Sequence, residues 1–182
     1  MSGFPLDYSY KDVRHIADFL DDDPYTGIAK GMDRGGLPRN ATCNATGVRL
    51  ANNRLENLDG LSEFLKQVLD DTLELRWLDL SNNKLTKVDP VLLNYPNLSC
   101  LYLQGNQINT LREIDKLSGL TNLSKITIQG NPVQSKKNYR TRVTAVLPKL
   151  RSLDVIAVTK EDRVRANIYG KIREEKMRKE EG

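Results

Sequence analysis

At 182 residues the chain is long enough for a single domain with a sizeable core. Its net charge of +4 favours solubility and an acidic partner without demanding nucleic acid. No apolar run approaches the ~18 residues of a membrane span, and residues 1–8 lack the basic-then-apolar order of a secretory signal, so neither is expected. The two cysteines, Cys43 and Cys100, read as unpaired small hydrophobic residues of a reducing compartment.

Residues 1–8 are extended and interrupted by proline. Ser9 with Asp12 makes an S-x-x-D capping signal, and behind it Val13, Ile16, Ala17 and Leu20 recur at helical spacing. An α-helix is predicted there, stopping by Asp21-Asp22-Asp23-Pro24. It either covers the end of the units that follow or docks on a partner, and the need of a stacked fold for end caps favours the cover. His15, the sole histidine, reads as a solvated helix residue, since nothing beside it completes a metal or catalytic set. Residues 24–40 are rich in Gly, Pro and charge and predict a loop. Gly31 and Gly36 mimic a phosphate loop, but Leu37-Pro38 stands where Lys-Ser/Thr is needed, so no phosphate site is expected.

From there the chain repeats itself. Leu75, Leu78, Leu80, Asn83 and Leu85 spell L-x-x-L-x-L-x-x-N-x-L, and Leu98, Leu101, Leu103, Asn106 and Ile108 spell it again. Leu123, Ile126, Ile128, Asn131 and Val133 make a third copy. A looser one precedes them (Val48, Leu50, Asn53, Leu55), and a truncated one closes the series (Leu150, Leu153, Val155). This is the leucine-rich-repeat pattern. It predicts an α/β solenoid, a leucine-rich-repeat horseshoe with a concave parallel β-sheet, convex helical or 3₁₀ turns, and helical caps at both ends. Period two sends Leu78 and Leu80 inward and Trp77, Asp79 and Ser81 to the opposite face. The asparagines Asn53, Asn83, Asn106 and Asn131 fall where each unit leaves its strand. There an amide can both donate to and accept from backbone that turning would orphan, so a structural ladder is expected. Apolar residues spaced by three and four in the return segments suggest convex turns (Val88, Val91, Leu92; Leu111, Ile114, Leu117, Leu120). The longer return at 56–74, with Leu58, Leu61, Leu65, Val68 and Leu69, fits a full helix.

After Asn131-Pro132, Ser135 is read as the cap of a helix carrying Tyr139, Val143, Val146 and Leu147, ended by Pro148. Between Gln134 and Leu153 there are six basic residues and no acid: Lys136, Lys137, Arg140, Arg142, Lys149 and Arg151. They are either the solvated outside of a cap helix or a docking patch for an acidic surface such as tubulin tails, another protein or RNA. Thr159 with Asp162 caps a final charged helix whose apolar stripe, Val164, Ile168 and Ile172, is too narrow for a core. That stripe lies back on the cap or grips a partner. The chain thus divides into an arm, capping helix and loop at 1–40, repeats with a C-terminal cap at 41–158, and a charged helix or tail at 159–182.

The run Asn131-Pro132, Tyr139-Arg140, Val143, Leu147-Pro148, Leu150, Leu153-Asp154, Val158-Thr159 and Asp162-Arg163 resembles a known C-terminal cap. It is shared by short intracellular leucine-rich-repeat proteins: a dynein-associated light chain, the spliceosomal A-prime protein, a phosphatase regulator and tubulin-folding cofactors. Pro5-Leu6-Asp7-Tyr8-Ser9-Tyr10, Asp23-Pro24-Tyr25-Thr26-Gly27, Asp89-Pro90-Val91-Leu92 and Val158-Thr159-Lys160-Glu161-Asp162-Arg163 extend the resemblance to a cilium-associated branch of that group. Segments 28–46 and beyond Ile172 depart from it. The resemblance implies a cytoplasmic, non-enzymatic scaffold of the ciliary or flagellar axoneme, bound to other axonemal proteins in a large assembly.

The residues agree with a binding role. Period two places Arg49, Trp77, Asp79, Tyr102, Gln104, Lys125, Thr127 and Asp154 on the concave face, where Trp and Tyr make rigid interface anchors. A ribonucleoprotein or phosphatase-regulatory subunit is the alternative. Nucleic acid is disfavoured because the basic run holds a single inward aromatic, Tyr139. No nucleophile–base arrangement or metal-ligand spacing exists, so no enzyme, cofactor, metal or small-molecule substrate is expected. Four N-x-S/T sequons (Asn40, Asn44, Asn97, Asn122) read as chance occurrences.

Overall fold

A computed structural model describes residues 5–22, 24 and 45–180. The loop predicted over 24–40 lies, but for Pro24, outside the described residues, as do Cys43 and the sequons at Asn40 and Asn44.

Among the described residues one seven-stranded sheet forms the concave side, its strands ordered as in the chain. They are β1 (Leu6–Asp7), β2 (Gly47–Arg49), β3 (Trp77–Asp79), β4 (Cys100–Tyr102), β5 (Lys125–Thr127), β6 (Ser152–Leu153) and β7 (Ile156–Ala157). Pairing is parallel from β1 to β6, and Val48, Leu78, Leu101, Ile126 and Leu153 align in one row. Every member of that row is at most 1% exposed. The second leucine of each repeat (Leu50, Leu80, Leu103, Ile128) is buried beneath it, so the period-two alternation decides which face becomes core.

The return segments cover the other side. The longest carries helix α1 (Leu61–Val68), which buries Leu61, Phe64 and Leu65. The next is a 3₁₀ turn at Pro90–Asn94, capped by the Asp89 carboxylate accepting from the Val91 N–H at 2.9 Å. The third is helix α2 (Leu111–Asp115) followed by a 3₁₀ turn at Lys116–Gly119.

The asparagines meet buried backbone at every unit. Asn83 donates from Nδ2 to the Leu50 and Leu80 carbonyls (3.0 and 3.1 Å) and accepts the Leu55 N–H on Oδ1 at 3.0 Å. Asn106 repeats this with Leu80, Leu103 and Leu85, and Asn131 with Leu103, Ile128 and Ile108. Each amide therefore ties two successive units. The residue before it is left-handed (Asn52 φ 55°, Asn82 φ 53°, Gly105 φ 68°, Gly130 φ 74°), a conformation that Gly and Asn adopt most cheaply. At Gly105 a Cβ would also collide with Asn82 Oδ1.

Both ends differ from the expectation. The extended arm is itself a strand, since β1 pairs with β2 and Asn53 donates to the Tyr8 carbonyl and accepts the Lys11 N–H. Ser9 and Asp12 start no helix; Tyr10 and Asp12 are left-handed turn residues. The following segment is a 3₁₀ helix at Ile16–Asp21. Its period is three, so Val13, Ile16 and Phe19 are buried while Ala17 and Leu20 face out. Phe19, Tyr8 and Phe64 then pack with ring centroids 5.2–5.7 Å apart, Tyr8 edge-on to both phenylalanines, closing the open end of the solenoid.

At the other end Ser135 caps nothing; its hydroxyl donates to the Pro132 carbonyl within a 3₁₀ turn at Pro132–Ser135. Helix α3 (Tyr139–Val146) starts instead from left-handed Asn138. Val155 does not join the truncated repeat. Asp154 and Val155 both have positive φ, the two-residue turn of a hairpin that reverses β6 into β7 and leaves Val155 70% exposed. Helix α4 (Lys160–Glu180) opens on the Thr159–Asp162 reciprocal cap and packs along α3. No helix among the described residues is long and apolar enough to cross a membrane.

Asn83→Ala strands the buried Leu55 N–H and takes one of two amide donors from each of the Leu50 and Leu80 carbonyls, and is expected to cost about 1–3 kcal/mol. Urea unfolding measures it, and wild-type stability would refute the ladder.

Candidate functional site

Alternate positions of β2 to β5 turn away from the core and build a strip across the sheet. In register, Gly47, Trp77, Cys100 and Lys125 form one row, and Asp7, Arg49, Asp79, Tyr102 and Thr127 the next. Trp77 spreads over Gly47, where a Cβ would stand 2.9 Å from its ring; only glycine leaves the indole that room. The Arg49 guanidinium lies 5.1 Å from the Trp77 ring centroid, and Tyr102 meets the indole edge-on at 5.6 Å. Lys125 Nζ sits 5.4 Å over the Tyr102 ring. Cation, indole, phenol and cation thus alternate across four strands, each half-exposed and each steadied by its neighbour.

The acids of the strip are engaged within the chain. Asp7 pairs with Arg49 at 2.9 Å. Burial pushes the Asp7 carboxyl up, but hydrogen bonds from Ser9 and Arg49 outweigh it and hold it below its ordinary value. Asp79 accepts from the Ser81 N–H and hydroxyl and stands 3.5 Å from Arg49 Nε.

The eight expected concave residues therefore divide. Arg49, Trp77, Tyr102, Gln104 and Lys125 are half-exposed on the strip, while Asp79 and Thr127 are buried at its floor, the Thr127 hydroxyl bonded to Gln104. Asp154 is not a contact residue. It is 9% exposed and its carboxylate accepts the Ile128 and Gln129 N–H groups and the Tyr139 hydroxyl, closing the last unit where no further asparagine follows. Burial, then the Asp154 charge, push the Tyr139 phenol far above its usual value, keeping it a neutral donor. Cys100 and Asp7 belong to the strip and were not among the expected residues; Cys100 stands two positions before Tyr102, which the same alternation makes legible.

The six-residue basic patch does not hold together as a free surface. Arg140 clasps Asp162 through two hydrogen bonds (3.1 and 2.7 Å) and the Ala157 carbonyl. Arg142 binds Asp115 and the Tyr169 hydroxyl, and Arg173 binds the same Asp115 at 2.9 Å. Lys149 reaches the Asn122 side chain, leaving Lys136, Lys137 and Arg151 exposed. Two of the expected docking residues are the staples that hold α4 to α3. The sequon asparagines Asn97 and Asn122 donate to the Leu73 and Pro96 carbonyls, joining adjacent units.

The Arg140 hydrogen bond, then the Thr159 N–H, hold the Asp162 carboxyl far below its usual range. A carboxylate depressed in the folded state stabilises above its unfolded pKa of about 4, and that contribution is lost as pH falls through the folded value. Urea midpoints should fall below pH 4, and Asp162→Asn should lessen that fall while lowering stability at neutral pH; an unchanged acid profile in the variant would contradict the staple.

A model described as leucine-rich repeat matches residues 42–181. Leucine-rich repeat-containing protein 51 of Rattus norvegicus is 38% identical over 91% of this chain and 84% of its own length, and that of Homo sapiens matches to the same extent. A probable U2 small nuclear ribonucleoprotein A′ of Drosophila melanogaster is 32% identical over 67% of this chain and 43% of its own. Among solved structures, a chain of the Drosophila melanogaster SNF/U2A′ complex shares 30% identity at a TM-score of 0.59, covering 71% of this chain and 73% of that one. Motif, register and relatives agree: the chain belongs to the leucine-rich-repeat family, in the branch of leucine-rich repeat-containing protein 51.

Proposed function

We propose that this leucine-rich-repeat scaffold is a structural component of the ciliary or flagellar axoneme, held in the cytoskeleton by another axonemal protein seated on its concave face. The observation that carries the reading is the Arg49–Trp77–Tyr102–Lys125 strip. Its aromatic rings are locked by glycine clearance and cation contacts before any partner arrives, so binding loses little side-chain freedom. A rigid Trp–Tyr pair rimmed by charge is the composition of an interface anchor. Lys125 has no carboxylate within ion-pair range among the described residues, and it suits an acidic group at the partner's edge, such as a tubulin surface. The ciliary assignment is supported by the family resemblance across the N-terminal motifs and the cap, and by similarity to leucine-rich repeat-containing protein 51 over 91% of the chain.

A second reading, a ribonucleoprotein subunit, is favoured by one observation, the 30% identity to a chain of the SNF/U2A′ complex. It requires clustered cations beside stacking aromatics. The strip offers two cations beside its rings, of which Arg49 is already turned to Asp7 and Asp79, and Arg140 and Arg142 are turned to Asp162 and Asp115, which weakens that reading.

Trp77→Ala is expected to weaken partner binding by about 2 kcal/mol or more while leaving the urea midpoint close to wild type. In ciliated cells the protein should stay with the axonemal pellet above ~0.5 M salt, where exposed charge contacts are largely screened, and Trp77→Ala should release it. Recovery only in soluble or nuclear fractions would sink the axonemal reading. Salt-dependent retention on polynucleotide resin at ~0.15 M would then support the ribonucleoprotein one.

A further inference from the structure

The concave face is charged unequally along its strand order. On its first half Asp7 and Asp79 both stand against Arg49, so two carboxylates meet one guanidinium. Its last half has no such acids. Residues 116–153 hold eight bases and no acid, so every ion pair made there must reach outside the stretch. Lys116, Arg140 and Arg142 do so, to Glu113, Asp162 and Asp115. On the concave side Lys125 and Arg151 have no carboxylate within ion-pair range among the described residues. Asp154, the next acid along the chain, is buried, with its oxygens taken by the Ile128 and Gln129 N–H groups and the Tyr139 hydroxyl. Lys125 lies over the Tyr102 ring, and Arg151 is exposed at the entrance to β6. The Arg151 N–H donates to the Ser124 carbonyl at 2.7 Å, which sets it beside the residue preceding Lys125. Lys149 follows at the same rim, held by the Asn122 side chain.

The spacing of these groups selects what they can recognise. Strands lie ~4.8 Å apart, so from the Trp77–Tyr102 contact between β3 and β4 the β5 strand of Lys125 is about 7 Å away across the sheet and the β6 entrance at Arg151 about 12 Å. An extended chain advances ~3.3 Å per residue and turns alternate side chains to one face, so the second and fourth residues beyond an anchor reach about 7 and 13 Å. We propose that the concave face takes an extended acidic segment of another protein, laid across the strands. One apolar side chain sits over Trp77 and Tyr102, and carboxylates two and four residues away meet Lys125 and Arg151. The inference rests on the concave face being the partner's seat and adds the chemistry of the seated segment. The charge gradient also orients it in space: its acids lie toward β6, because toward β1 they would meet Asp7 and Asp79.

Fluorescence anisotropy with the full chain at ~0.1 M salt tests this. One labelled peptide carries a leucine with glutamates two and four residues after it, and a second has the same residues in reverse chain order. Two further peptides have lysines in place of the glutamates. At least one glutamate peptide should bind saturably, and its lysine counterpart about tenfold or more weakly, since two exposed ion pairs become two repulsions. Trp77→Ala should weaken the glutamate peptide about tenfold or more. The double variant Lys125→Glu, Arg151→Glu should exchange the preference and favour lysine, which loss of structure could not produce. Equal binding of glutamate and lysine peptides, lost in Trp77→Ala, would overturn the acidic segment and leave the concave seat standing. No binding by any peptide, glutamate binding indifferent to Trp77→Ala, an unexchanged preference in the double variant, or a single-stranded oligonucleotide that binds more tightly than the glutamate peptides would each overturn the proposal.

Discussion

Each repeat must leave its strand and turn, and turning exposes backbone groups inside the fold that water cannot reach. The asparagine amide answers this with both ends at once. Its nitrogen serves a carbonyl of its own unit and one of the unit before, and its oxygen takes an N–H of the preceding exit. Because the donor and acceptor lie on different units, neighbours can stack in one register only. That register is also what lines up Trp77 with Gly47 and Tyr102 with Asp79. The aromatic strip follows from the register that the ladder sets.

A ladder must begin and end somewhere, and the two ends solve this differently. At the start, Asn53 finds the Tyr8 carbonyl and the Lys11 and Val13 amides, so the arm acts as a unit without its own leucine pattern. At the finish no asparagine remains, and Asp154 accepts two amides of the last full unit while its hairpin reverses the chain into β7, the antiparallel edge strand of the sheet. The carboxylate can only accept, which fits a position with no later repeat to donate to. The Tyr139 hydroxyl satisfies its second oxygen.

The repeats were legible because leucine at period two and asparagine at the exit are both local requirements, readable position by position. The concave residues followed from the same alternation, including Trp77 and Tyr102. What was not legible depended on distant partners. Arg140 and Arg142 look like a solvated basic face until Asp162 and Asp115 arrive from other helices. Asp154 looks like a strand residue until Tyr139 and the Ile128 amide converge on it. The first segment misled through its period. Val13 and Ile16 suit either a helix or a 3₁₀ turn, and only docking against Phe64 selects Phe19 over Ala17 and Leu20.

The solenoid presents an aromatic strip preorganised by the ladder, and that strip depends on the asparagines bonding to backbone as a structural constant of the folded state. Native-state hydrogen exchange of the Leu55, Leu85 and Ile108 amides, the three that donate to Asn83, Asn106 and Asn131, tests this most directly. The account predicts that they exchange only through global unfolding, with the same opening free energy as the strand amides of Leu101 and Ile126. Exchange through cheap local opening, at rates typical of exposed turns, would contradict it.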